Sequence, residues 1–278
     1  MALSEYEKKV FQQIHEWQNK LYQYEPIDFE RIFDKYLERS FSMLPENVQS
    51  QFFSMLDQWM FHIHSLIQGS QLQMDAKERI LTAGRIFDPN ISTLADLQSL
   101  PIHQLQYIAQ QQIFRHRFYS FIQGGVSGTG GSLLLGADIP AVTIINLRVV
   151  QLLAMTYGYE VNTPFEMMTS LKVFHAASLP SRIQFRAWEE LFRELNDRKL
   201  PYFYEGEEEI ADLASVEQLM KQIFKGMVIF LFKRKTWKGI PIVGMGIGAS
   251  ANYFLTRRVT EFAHNYYQMR YLLAKKET

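Results

Sequence analysis

The chain contains no cysteine. A disulfide framework, a thiolate zinc site, an iron–sulfur cluster and a cysteine nucleophile are therefore all excluded. An excess of charge of one sign is lacking too: 29 basic and 29 acidic residues give a formal net charge of zero. No global field draws in nucleic acid, so any basic surface has to be local, and no nucleic-acid partner is expected. The N-terminal run MALSEYEKKVFQQIHEW is charged and amphipathic and lacks an apolar leader or a small-residue cleavage site. The expected location is cytoplasmic. Long apolar runs are also missing. The longest uncharged stretches are Phe118–Ala137 and Gly239–Thr256. Both approach the ~20 residues of a spanning helix, but glycine and serine dilute them, and neither is expected to cross a bilayer alone.

What is present is a strong helical pattern. The apolar share is 47%, enough for a core and contrary to disorder. Tyr6, Val10, Ile14, Trp17 and Leu21 recur at helical spacing. Phe29, Ile32, Phe33, Tyr36 and Leu37 follow Pro26, and Val48, Phe52, Leu56, Trp59, Ile63 and Ile67 follow Pro45 up to Gly69. Further helices are predicted near Met74–Phe87, stopped by Asp88-Pro89-Asn90, and from Pro101 through Tyr119. Others span about Ile139–Tyr157, stopped by Gly158, then 164–177 and 181–196. Thr163-Pro164-Phe165-Glu166 reads as a capping box. A helix from Glu207–Glu209 to about Lys235 and a last one over about Val243–Ala274 complete the set. Only Arg117–Ile122 hints at a strand. The expected fold is all-α: a multi-helix single domain over 1–278, with two packed glycine-rich helical hairpins. Residues 1–87 read as an N-terminal helical subdomain and 101–274 as a glycine-rich core.

The glycines form two segments, Gly124–Val142 and Lys238–Asn252. Taken as helix, Gly124, Gly128, Ser132 and Gly136 stack at four-residue spacing, and Gly244, Gly248 and Asn252 repeat it. Such ridges let another backbone approach closely. Glycine costs up to ~1 kcal/mol per helical position relative to alanine, so packing or a membrane has to compensate. The plainer reading is tight packing in a core; the sharper one is apolar hairpins dipping into a bilayer. A phosphate loop is a poor fit to Gly125–Ser132, because Gly131 stands where the phosphate-binding lysine is required.

Polar candidates are few. Asp138 reads as an N-cap for the helix containing Pro140, or as a buried partner for Lys238, Arg257 or Arg258. Arg148 lies about 15 Å further along that helix and needs another partner. With Asn252 and Arg257, these two are candidates for a polar centre. Lys233, Arg234, Lys235, Trp237 and Lys238 interleave cations with aromatic residues. That suits an anionic headgroup layer, or else a solvated helix end. His62 and His64 are two apart on a helix, poor metal spacing, and His103, His116, His175 and His264 stand alone. No metal, no cofactor and no catalytic residue is assigned, since no HExxH, GxSxG, EF-hand or dinucleotide fingerprint occurs.

The order Gly124-Gly125, Gly128, Gly131, Asp138-Ile139-Pro140, Leu147-Arg148 and Tyr157-Gly158-Tyr159 resembles the EcsC family. So do Lys238-Gly-Ile-Pro241-Ile-Val-Gly244, Gly248, Asn252 and Thr256-Arg257-Arg258, with Tyr6-Glu7, Trp17 and Leu44–Val48 at the N-terminal side. The resemblance implies a bacterial protein linked by operon to the Ecs ABC transporter, and it supplies no catalytic residue. The expected function is a non-enzymatic protein peripheral to the inner face of the cell membrane. Its partners would be a lipid surface or a membrane transporter. An enzyme acting on lipid-linked substrate around Asp138 and Arg148, and a purely structural helical scaffold, are the alternatives.

Overall fold

The computed structural model describes residues 3–23, 71–128, 131–179, 181–197 and 241–277. Side chains are described for 3–23, 74–122, 142–163, 165–179, 184–195 and 252–276. The helices expected over 26–69 and 207–235 lie outside these residues, as do His62, His64, Lys233, Arg234, Lys235, Trp237 and Lys238.

The described residues form an all-α fold of seven α-helices and one short 3-10 helix, with no strand among them. They are α1 (Glu5–Tyr22), α2 (Gln71–Arg85), the 3-10 helix Ala95–Ser99, α3 (Ile102–Gly128), α4 (Gly131–Thr156), α5 (Pro164–Ser178), α6 (Ser181–Asp197) and α7 (Pro241–Glu277). The spine is α7, whose 37 residues span about 55 Å at helical rise. It packs most extensively on α3 and also touches α4, α5 and α1. Val259, Phe262, Ala263, Tyr266 and Tyr267 of α7 are almost wholly buried. One apolar cluster runs from Val10 to Leu272 and joins all seven helices.

Local chemistry sets the ends. Ser4 caps α1 in a reciprocal box: its hydroxyl accepts from the Glu7 amide, and Glu7 Oε2 accepts from the Ser4 amide at 2.8 Å. Glu7 Oε1 also receives Lys275 Nζ at 2.5 Å, which ties the first helix to the last. Trp17 adds edge contacts to Trp188 of α6 and Phe262 of α7. Gly158 ends α4 with φ +87°, a conformation that glycine adopts without steric cost.

Four expectations change. Arg117–Ile122 is not a strand but part of α3. The buried set Gln112, Ile113, His116 and Ser120 has helical spacing, and a short apolar run cannot by itself distinguish the two. The first glycine segment does not interrupt helix over its whole length: α3 continues to Gly128 and α4 begins at Gly131. Gly124 and Gly128 therefore belong to α3, and Ser132 and Gly136 to α4. Asp138 is no N-cap, because it lies inside α4, seven residues past its start. At Thr163 only half of the box forms. The Thr163 hydroxyl accepts from the Glu166 amide, but the Glu166 carboxylate is drawn to Arg270 of α7. A charged partner outcompetes a neutral backbone amide.

Candidate functional site

Helices α3 and α7 meet along a polar seam. Gln106 Nε2 donates to Gln268 Oε1 at 2.6 Å, and Arg117 Nε donates to Thr260 Oγ1 at 2.9 Å. Arg117 Nη2 reaches the carbonyl of Arg257 at 3.3 Å. Ser120 Oγ donates to the carbonyl of Asn252 at 2.9 Å and accepts from Thr256 Oγ1 at 2.7 Å. Partner numbers on α7 fall as those on α3 rise, so the two helices are antiparallel. That register sends the C-terminal end of α3, bearing Gly124 and Gly128, and the N-terminal end of α7, bearing Gly244 and Gly248, to the same end of the pair.

Above the seam lies an exposed aromatic face. Tyr107, Phe114, Phe118, Phe121 and Ile122 share one side of α3, and Phe254 is exposed on α7. Phe114 is 75% exposed, Phe118 53% and Phe254 59%. The Phe121 ring meets Tyr253 edge-on at 6.5 Å. Scattered exposed apolar residues are ordinary, but a contiguous apolar patch marks an interaction surface. From Ile102 to Gly128 there is no Asp or Glu. Exposed Arg115 and Arg257 and half-buried Arg117 supply positive charge. Burial, chiefly, pushes the Arg117 guanidinium below its ordinary value; Tyr253 and Glu261 favour its charge and Arg257 opposes it. Among the described residues, Arg117 and Arg257 make no ion pair with a carboxylate.

Arg148 stands elsewhere. It is half-buried on α4, facing Asp75 and Arg79 of α2. Burial and the Arg79 charge lower its pKa, against the pull of Asp75. Next to it His116 is buried, with Nδ1 2.9 Å from the Gln112 carbonyl. Burial above all holds this imidazole down to about 4, and the charges of Arg148, Arg115 and Arg79 add to the effect. Arg148 and Arg257 thus occupy two different places in the fold. Asn252 belongs to the seam. It is 1% exposed, and among the described residues neither the oxygen nor the nitrogen of its carboxamide has a hydrogen-bond partner. Asp138 lies on α4, outside the described side chains, as do Gly124, Gly128, Ser132, Gly136, Gly244 and Gly248.

A small hollow of ≈ 10 Å³ lies between α5 and α6, lined by Phe165, Met168, Leu191 and Tyr266 of α7. Lys172 Nζ bonds Glu194 Oε2 at 2.6 Å across its wall. The pocket contains none of the polar-centre candidates. Among the described residues no group of three His, Asp or Glu stands ready for a metal ion.

Sequence reasoning missed the aromatic face and Arg117. The signal was present in the recurrence of Tyr107, Phe114 and Phe121 every seven residues, on a segment without a single acid. It was obscured because α3 carries apolar residues on its buried side as well, so no clean stripe stands out.

The class of protein defined here is an all-α bundle without, among the described residues, any helix long and apolar enough to cross a membrane. The chain belongs to the EcsC protein family, which it matches over residues 8–272. It is 24% identical over 242 residues to "Uncharacterized protein YdbA" of Bacillus subtilis (strain 168), covering 85% of this chain and 83% of that protein. No solved structure matches it.

Proposed function

We propose that this protein is a peripheral membrane protein that rests the aromatic face of α3 and α7 on an anionic lipid surface. The observation that carries this reading is the exposed stripe of Phe114, Phe118, Phe121 and Ile122 on the acid-free helix α3, with exposed Phe254 on α7 and the cations Arg115, Arg117 and Arg257 on the same two helices. Burying one phenylalanine fully gains about 1.5–3 kcal/mol. Several partly inserted rings with cations at headgroup level reach useful affinity without a spanning helix. The uncharged runs Phe118–Ala137 and Gly239–Thr256 begin or end at the same end of the antiparallel pair, which supports that orientation. The Lys233–Lys238 stretch would add to the attraction.

Co-sedimentation with vesicles tests the reading. Wild-type protein is expected to pellet with phosphatidylcholine vesicles that carry phosphatidylglycerol. The triple variant Phe114→Ser, Phe118→Ser, Phe254→Ser should stay in the supernatant while keeping its helical circular dichroism, since all three rings are exposed. Undiminished pelleting of that variant overturns the aromatic contact. Replacing Lys233, Arg234, Lys235 and Lys238 with glutamate gives the electrostatic counterpart.

A further inference from the structure

We propose that the seam between α3 and α7 is built to part at its Ser120 end when the aromatic face meets lipid. This rests on the membrane reading and says how the bound protein differs from the free one. The two ends of the seam are fastened unequally. At the far end Gln106 donates to Gln268, Tyr6 donates to Gln106 at 2.8 Å, and the Tyr271 hydroxyl donates to the Leu100 carbonyl at 2.9 Å. The ion pair of Glu7 and Lys275 ties α1 to the same end of α7. These contacts hold the start of α3 in place. At the other end Ser120 joins the Asn252 carbonyl and Thr256 Oγ1, bonds between neutral groups that water or a lipid ester can replace. Asn252 sits at that same place, 1% exposed, and among the described residues neither polar atom of its carboxamide has a partner. A buried amide left so destabilises the closed seam, and parting solvates it. What opposes parting in water is the apolar surface between α3 and α7, which form the most extensive helix contact of the fold. Against acyl chains that penalty falls away, because lipid is as apolar as the core. The free protein therefore stays closed, and lipid shifts the balance. Arg258 Nη2 holds the Ser178 carbonyl at the end of α5 at 3.1 Å, so α7 keeps its place. The part that moves is the C-terminal end of α3, which bears Phe114, Phe118 and Phe121.

The lack of cysteine in the chain makes a direct test possible. Ser120→Cys combined with Thr256→Cys places the chain's only thiols where two hydroxyls lie 2.7 Å apart, and a disulfide there staples the seam. Helical circular dichroism checks the fold of both redox forms. The reduced protein should bind phosphatidylglycerol-containing vesicles as wild type does. The oxidised protein should bind about tenfold or more weakly, since its binding-competent state is out of reach. Equal binding by the two forms overturns the parting and leaves the membrane reading standing. Wild type that ignores the vesicles overturns both. Asn252→Leu keeps the shape of the amide without its polar atoms, and it carries the test if the two thiols do not join. It should hold or raise the urea midpoint and weaken vesicle binding, because only the closed seam gains. A lowered midpoint, or binding as tight as that of wild type, overturns the role given to the orphaned amide.

Discussion

Single residues bear constraints here that no contact list conveys. Gly158 is the clearest. Its backbone sits at φ +87°, and an added Cβ would come within 2.4 Å of Gln98 Cγ and 3.0 Å of the Leu94 carbonyl. The approach is close because Gln98 Nε2 donates to the Gly158 carbonyl at 3.3 Å, fastening the end of α4 to the 3-10 helix. Left-handed backbone alone costs an L-residue about 1–2 kcal/mol. Gly158→Ala should therefore lower stability by at least that much, read as a lower urea midpoint with an unchanged slope. The glycine itself was legible in the sequence as a helix stop. Gln98, which makes alanine still worse there, was not, since the two are 60 residues apart.

At the scale of elements, a buried ion pair fastens α5 to α7. Arg270 Nη1 donates to Glu166 Oε2 at 2.7 Å, and Nη2 bonds Oε1 as well. The guanidinium lies 3.7 Å over the Tyr159 ring. Burial would lower the Arg270 pKa, yet the bond to Glu166 carries it above its ordinary value. Both side chains are at most 13% exposed, so removing one strands the other charge in a poorly solvated place. Arg270→Leu is expected to cost about 3–5 kcal/mol. The double variant Glu166→Met, Arg270→Leu should cost less than that single change, because no orphan charge remains. Urea unfolding of the two variants decides it; a double variant less stable than Arg270→Leu would contradict the account. The sequence marked Glu166 as a capping residue, but only its amide is held by Thr163 and its carboxylate goes to Arg270. Arg270 carried no signal, because nothing in a one-dimensional pattern places it beside residue 166.

For the molecule as a whole, the buried histidines set a pH response. His116 and His264 are both held down to about 4 from an ordinary value of 6.5, chiefly by burial. His264 Nε2 lies 3.0 Å from the Tyr157 hydroxyl, which a neutral ring can accept. Between those two pH values the unfolded chain binds protons that the folded chain refuses. Stability therefore rises with pH across that window. The melting temperature should be nearly level above pH 7 and should fall as pH drops from about 6.5 toward 4. Glu7, whose pKa is lowered, adds a loss at still lower pH, as its bonds to Lys275 and Ser4 overcome the cost of its burial. His116→Gln combined with His264→Gln should flatten the first part of the curve in a calorimetric pH series. A slope unchanged by the pair would show that other groups set it.

The sequence by itself determined the helical class, most helix positions among the described residues and the EcsC kinship. Those follow from spacing, breakers and local residue order, which act over a few residues. It also located Asn252 and Arg257 as polar residues beside an apolar segment. Only the tertiary structure decided that α3 and α7 run antiparallel, that Arg148 belongs to another corner, and that Arg117 sits beside Arg257. Contacts across 140 residues depend on how helices pack, and helical periodicity does not encode which faces meet. The exposed aromatic face emerged for the same reason: phenylalanine has the same letter whether buried or bare, and burial is a property of the assembled bundle.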